Sequence, residues 1–540
     1  MINLIFKSKA KTITFSALIL AVSSTISAFL GLFRDRLLAG TFGAGVELDI
    51  YFAAFRIPNF IYGVLITGGL VAAFLPVFSE TFENDEEEGW RLVSNLLNYL
   101  ILTLSGLSFL LFIFTPLVVK LIAPGFTSLQ TEWMIHLTRI MLLSPILLGI
   151  SSLFSAMLKY FDHFLTYALA PILYNLGIIF GIIFLYPIFN LSGLAYGVVL
   201  GALAHLLIQF PAAKIIGFKY QFIFDHSSKK FKKIIHLIIP RLIGQASTQI
   251  NLVVITAIAS TLAVGSLAIF NFANHLQAFP VRIIGISFAV AAFPRFSKDL
   301  ANGAKEKFLN DFSNSARKII FAILPLSFLA FMLRGQVVRL ILGTGRFSWS
   351  DTRLTAACLG IFAFSFFANC LMHLVIRAYF SFQDTKTPVI ASIIGVISNI
   401  VLVFIFLFLL RDSELTQSVF NYFLKLEGLE NLEVLAFPSA FLFSVLIQFL
   451  YLFKTLEKRM GNLKREEIVD STIRILGASL VMVFFAFFTL RAVTNFIVLN
   501  TFISVFIQAS ITTIVSFIVY ILAAYWLDSP EVKAVFKRIL

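Results

Sequence analysis

At 540 residues, 59% hydrophobic and only 13% charged, with a mean hydropathy of +0.94, the chain lies outside the soluble globular class, where about a quarter of residues are charged. The net charge of +14 invites a nucleic-acid partner, but the main basic clusters sit between apolar runs on one side of them, and their position decides against that reading. Cys358 and Cys370 are the only cysteines; on one predicted helix they stand about 18 Å apart, so no disulfide or metal framework is expected.

Runs of about 20 apolar residues, each able to cross about 30 Å of hydrocarbon, follow one another along the chain. Fourteen spans are predicted. The first, 12–32, follows the basic start Lys7, Lys9 and Lys11. It resembles a signal peptide but lacks a clear cleavage site and precedes many more spans, so it reads as a retained anchor. Arg34, Asp35 and Arg36 follow it directly, and Asp49 and Arg56 mark the start of the second span, 50–78. Spans at 93–121, 134–159, 165–188 and 192–213 complete a first lobe, 1–214. A basic, Phe-containing linker, 215–233, reads either as a loose cytoplasmic loop or as an amphipathic helix on anionic lipid. The second lobe, 234–460, holds spans at 235–261, 266–293, 317–342, 354–379, 387–410 and 434–455. A C-terminal helix pair, 470–492 and 498–526, fills 461–540.

The two lobes are copies. At a constant offset of 219, Ala72-Ala73-Phe74 recurs as Ala291-Ala292-Phe293, and Val118-Val119-Lys120-Leu121-Ile122 as Val337-Val338-Arg339-Leu340-Ile341. Tyr160-Phe161 recurs as Tyr379-Phe380. The expected fold is an all-α polytopic membrane protein of two pseudo-symmetric six-helix lobes plus a helix pair. Because each repeat has an even number of spans, both insert in the same orientation, as in transporters built from parallel repeats.

With fourteen spans, every basic cluster from Lys7 to Arg538 falls on the N-terminal side. The longest opposite loop carries Asp412, Glu414, Glu427, Glu430 and Glu433. The positive-inside rule makes the basic side cytoplasmic and places both termini inside. The acidic cluster Glu83 to Glu88 falls on the basic side, against the trend.

A charge at mid-bilayer costs about 2.5–3.5 kcal/mol, which makes membrane-embedded ionisable residues functional candidates. Arg34, Asp49, Arg56, Arg241 and His275 are the candidate substrate-binding residues. Arg34 and Arg36 also fit an interfacial cluster, and Asp49 also fits a partner or cap for a nearby Arg. His275 occupies the copy position of Arg56 at the offset of 219. Gln245, Gln249, Asn251, Asn271 and Asn274 are read mainly as helix–helix hydrogen bonders. Cations without interior carboxylates in the second lobe point to an anionic substrate, a phosphate or diphosphate, which Arg suits. No Walker-type loop, cofactor or catalytic group is expected. The reading is a transporter.

The ordered motifs are similar to those of the MurJ (MviN) lipid II flippases of the MOP exporter superfamily. They are Gly31, Arg34-Asp35, Phe42-Gly43-Ala44-Gly45, Asp49, Ala54-Phe55-Arg56-Ile57-Pro58-Asn59, Gly68 and Ala73-Phe74-Leu75-Pro76. Ala123-Pro124-Gly125-Phe126, Pro240-Arg241, Gln249-Ile250-Asn251, Gly345-Arg346-Phe347-Ser348 and the run from Ser381 to Pro388 continue the resemblance over nearly the whole chain. It implies two lobes around a central cationic cavity, a lipid-tail groove beside the last helix pair, and alternating access. The substrate implied is the undecaprenyl-diphosphate-linked peptidoglycan precursor, with cell-wall synthesis proteins as partners. The chain departs from the family pattern at Ala28, Tyr62, Thr67 and Asn274-His275. These departures leave open a flippase for another polyprenyl-diphosphate glycan; a cation-coupled small-molecule exporter of the superfamily is the other alternative.

Overall fold

The apolar runs become helices in the computed structural model, which describes residues 13–533; the side chains of 13–18, 67, 68, 71, 72, 240, 241 and 243 lie outside the description. Among the described residues all regular structure is helical. Lipid imposes this, because it offers backbone N–H and C=O groups no alternative partner. Twelve helices are long and apolar enough to cross a bilayer, and a pair bent by 45°, Lys229–Ile239 with Gly244–Ser260, makes a thirteenth. Pro240 stands at that bend, where a missing N–H breaks the helical ladder. The remaining predicted span, 12–32, falls in the helix Ile13–Phe42.

The chain divides into two compact units, Met1–Leu267 and Ala268–Leu540. The seventh span, which the repeat assigns to the lobe 234–460, packs within the first unit, against Tyr62–Leu70, Val71–Asn84 and Glu86–Ile122. Side-chain ties described below hold it there.

The repeat is legible in the backbone. Glu86–Ile122 is a single helix; its copy is Lys305–Met332 followed by Arg334–Ile341, with first and last residues both offset by 219. A π-helical turn opens at Tyr62 in the first unit and at Val281 in the second, again 219 apart. The offset then slips. The fourth span is N-capped by Thr127 in one unit and Ser348 in the other, each in a capping box, and C-capped by Phe161 and Phe382. The left-handed residues after these caps, Asp162 (φ 60°) and Gln383 (φ 59°), are likewise 221 apart. The expected pairing of Tyr160-Phe161 with Tyr379-Phe380 is therefore corrected by two residues. Its cause is the connection before the span, 123–126 in one copy and the longer 342–347 in the other.

The linker is neither of the two expected forms. After the short helix Phe210–Ile215, residues 218–228 run without helix and lie along Glu86–Ile122. Ser94 Oγ accepts from the Gln221 N–H, and Asn95 both accepts from the Asp225 N–H (2.8 Å) and donates to its C=O (2.8 Å). Asn98 donates to the Gln221 and Ile223 carbonyls and accepts from the Tyr220 hydroxyl. The polar side chains of one helix face thus replace a neighbouring strand. Lys230 and Lys233 then pair with Glu88 and Glu80, which explains acidic residues on the basic side; exposed pairs of this kind add little stability.

Elsewhere close helix approach rests on glycine. Gly177 and Gly181 face Gly193, Gly197 and Gly201 of Leu191–Leu207, and a Cβ on Gly181 would lie 2.6 Å from the Gly197 Cα. Small residues at a four-residue spacing let helices pack tightly in lipid. In the second unit the helix pair Arg465–Phe496 and Phe502–Trp526 packs on Lys305–Met332, and the Tyr520 hydroxyl donates to the Phe321 carbonyl at 2.8 Å. An apolar cavity of about 310 Å³ opens beside Arg465–Phe496, lined by Phe312, Leu371, Phe449, Phe453, Ile468 and Ile473 among others.

Candidate substrate site

The helix Ile13–Phe42 carries Arg34 toward Phe164–Phe180. Its guanidinium donates to Asp35 Oδ1 through Nε (3.0 Å) and Nη2 (2.8 Å), and through Nη1 to Asn175 Oδ1 at 3.3 Å. The Asn175 amide donates in turn to the Ser27 carbonyl, the Ser27 hydroxyl and the Pro171 carbonyl. Arg34 keeps 20% of its side chain accessible, whereas Asp35 keeps 4%. The cation is thus oriented by a buried carboxylate and an amide, with part of its fork left open. Tyr51 and Tyr174 stand close enough to interact with it electrostatically.

Asp49 sits in the first turn of Val46–Ala54, where a carboxylate favours the helix dipole. Its Oδ2 accepts the Gly265 N–H at 2.6 Å. Gly265 has φ +87°, and an added Cβ would meet the Ala44 backbone. Both the left-handed conformation and the close approach require glycine here. Asp49 therefore pins the turn after the seventh span to the start of the second.

The second span breaks at Phe55 before resuming as Arg56–Ile61. Pro58 has no N–H for the Ala54 carbonyl, which the Thr138 hydroxyl approaches instead at 3.5 Å. The break aims Arg56 at the seventh span, where its Nε donates to Thr256 Oγ1 at 2.7 Å. The Thr256 hydroxyl donates onward to the Leu252 carbonyl. Arg56 is 8% exposed. Thr256 carried no signal in the sequence, being one hydroxyl among the apolar residues of 235–261.

Arg241 lies on the helix Lys229–Ser260; its side chain is outside the described residues. His275 is half-buried on Ser266–Pro280 in the second unit. It precedes the π-helical turn by six residues, as Arg56 does in the first unit, so its backbone position is that of Arg56. Within the first unit the structure brings Arg34 to Asp35 and Asn175, Arg56 to Thr256, and Asp49 to Gly265. These are three anchored groups, two of them cationic. Of these, the partly accessible Arg34 guanidinium has the chemistry to donate hydrogen bonds to an anion; among the described residues no group of three or more His, Cys, Asp or Glu side chains is arranged to hold a metal ion.

The comparisons agree with the resemblance in the motifs. A probable lipid II flippase MurJ of Buchnera aphidicola subsp. Schizaphis graminum is 26% identical over 517 residues, covering 95% of this chain and 96% of the relative. A second, from Buchnera aphidicola subsp. Acyrthosiphon pisum, is 29% identical over 390 residues, covering 70% and 75%. Among solved structures, the inward closed conformation of lipid II flippase MurJ is similar at a TM-score of 0.73, with 24% identity over 94% of this chain and 98% of that one. An inward-facing multidrug resistance MATE family transporter of the MOP superfamily is similar at 0.67, with 15% identity over 83% and 99%. At these identities the two structures speak for the fold. The sequence model of the family described as lipid II flippase MurJ matches residues 38–510, from the end of the first helix into the last. The chain therefore belongs to the lipid II flippase MurJ family.

Proposed function

We infer that this chain translocates lipid II, the undecaprenyl-diphosphate-linked peptidoglycan precursor, from the inner to the outer leaflet of the bacterial cytoplasmic membrane. The family match over 38–510 carries the reading. The two oriented guanidinium groups of the first unit supply its chemistry. Arg34, partly accessible and oriented by the buried Asp35, offers N–H donors to a diphosphate with little ordering left to do, while the buried Arg56 adds its fixed positive charge. Asp49 acts on the site indirectly, by holding the turn at Gly265. Arg241 is a further candidate contact in the first unit, and His275 is the second unit's own candidate substrate contact. The substrate crosses by alternating access of two six-span lobes, no covalent bond changes, and the final helix pair shelters part of the prenyl tail. Both termini face the cytoplasm, where the basic connections meet anionic lipid, and cell-wall synthesis proteins take up the product.

The test is growth of a strain depleted of its own lipid II flippase, together with movement of lipid II in vesicles containing the purified protein. Rescue and translocation by the wild type, and neither by Arg34→Ala, are expected. Failure of the wild type in both assays, with normal membrane levels, removes the reading.

A further inference from the structure

Two basic residues in the second unit have no task so far. His373 and Arg377 stand four residues apart, and so on one face, near the end of Trp349–Ser381. Both are half-buried. The Arg377 guanidinium lies over two rings, Phe293 at 5.7 Å and Phe380 at 5.8 Å. Phe293 belongs to the neighbouring helix Ser287–Ala301, so the side chain turns toward that helix and not outward to lipid. Cys370, nearly one turn before His373, fixes the same face. An added Cβ on Gly285 of the π-helical turn would come within 2.8 Å of the Cys370 Cα and Sγ. Among the described residues, no carboxylate lies within ion-pair distance of His373 or Arg377; the acidic groups of this unit pair with Lys307, Arg317, Arg411, Arg459 and others. A guanidinium at the margin of an apolar layer is costly without an anion, and ring faces offset only part of that cost.

We propose that His373 and Arg377 form a loading subsite for the diphosphate of a prenyl-linked substrate. Its ligand class rests on the flippase reading. The guanidinium donates two parallel N–H bonds to phosphate oxygens as a fork, the imidazole donates a further N–H, and the two rings exclude water from the pair. Phe293 is eighteen residues beyond His275 on one helical run, which places the subsite about 27 Å along the axis from His275. The same helical run thus offers a diphosphate two stations, about five turns apart.

The test uses the full chain in discs of zwitterionic phosphatidylcholine, with p-benzoylphenylalanine in place of Phe380 as a photocrosslinker. The probes are geranylgeranyl diphosphate, geranylgeraniol and inorganic pyrophosphate. Crosslinking to the diphosphate is expected to fall about tenfold in Arg377→Ala, less in Arg377→Lys, and about threefold in His373→Gln. Pyrophosphate should compete, and geranylgeraniol should crosslink weakly whatever stands at 377. Equal yields for Arg377→Ala and the parent, or for the alcohol and the diphosphate, overturn the subsite and leave Arg377 as an interfacial anchor. Lipid II movement by the unsubstituted protein is measured in parallel. Capture that depends on Arg377 in a protein that moves no lipid II sustains the subsite and removes the flippase reading; capture that ignores Arg377 removes the subsite alone.

Discussion

The second span of the first unit and its copy in the second unit share a backbone and differ in how they treat charge. Both enter a π-helical turn at the same register, at Tyr62 and Val281, and both place a nitrogen base six residues earlier. In the first unit Pro58 breaks the helix, and the base is a guanidinium anchored on Thr256. In the second the helix Ser266–Pro280 is unbroken, and the base is an imidazole. Duplication has kept the device that shapes the helix while the chemistry on it diverged. The first unit keeps a permanently charged fork of N–H donors, and the second an imidazole ring.

The sharpest way to break this comparison is to remove the fixed charge. Arg56→Ala and Arg34→Ala should each lower lipid II translocation in vesicles at least about tenfold at unchanged protein levels, because each deletes oriented charged donors. Wild-type rates in both would show that the anchored cations are structural. Next, Asp49→Ala should destabilise the first unit by about 1.5–3 kcal/mol, the range for hydrogen bonds to charged groups. Asp49→Asn, which keeps an acceptor for the Gly265 N–H, should cost less. Thermal unfolding in detergent would measure both, and equal melting of all three proteins would deny the tie any role. A smaller effect is expected at His275. His275→Arg should preserve transport, whereas His275→Ala should lower it about threefold; wild-type transport by His275→Ala would mean that the imidazole only packs.

The smallest effect lies outside the membrane, in the second unit's connection after Trp349–Ser381. Burial acts to raise the Asp384 carboxyl, but the Thr387 N–H and hydroxyl and the Arg459 guanidinium outweigh it and hold the group below the usual carboxylate range. A depressed carboxyl contributes stability that is present above its unfolded value and lost as pH falls through the folded one. Melting temperatures below about pH 4 should therefore fall more for the wild type than for Asp384→Asn, while near neutral pH the wild type should be the more stable. Parallel curves would show that the connection gains nothing from the charge.

The spans, the repeat and the family motifs were legible because apolar length and residue identity are carried along the chain itself. The two-residue slip between Phe161 and Phe382 was not, since a chance Tyr-Phe match outweighed caps that sequence identity does not score. The seventh span's place in the first unit was equally hidden. It depends on Arg56 meeting Thr256 and Asp49 meeting Gly265, partners about 200 positions away that no periodicity connects. The role of Asn175 in orienting Arg34, 141 positions away, likewise needed the geometry. The linker was misread for a similar reason: basic residues and phenylalanines suggested a lipid-bound helix, and the ordering groups were Ser94, Asn95 and Asn98 on another element.

Those three residues impose an unusual pattern of tolerance on the segment they hold. They grip main-chain N–H and C=O groups at Gln221, Ile223 and Asp225, atoms that every residue except proline supplies in full. The grip is blind to the side chains it passes over. Substitutions along 221–224 should therefore accumulate freely provided that they avoid proline at 221, while the short polar patch on Glu86–Ile122 and the Asp225 carboxylate, which accepts from Ser227 and Ser228, bear the constraint. A single inserted residue would do what many replacements could not, by throwing the carbonyls out of step with the two asparagines.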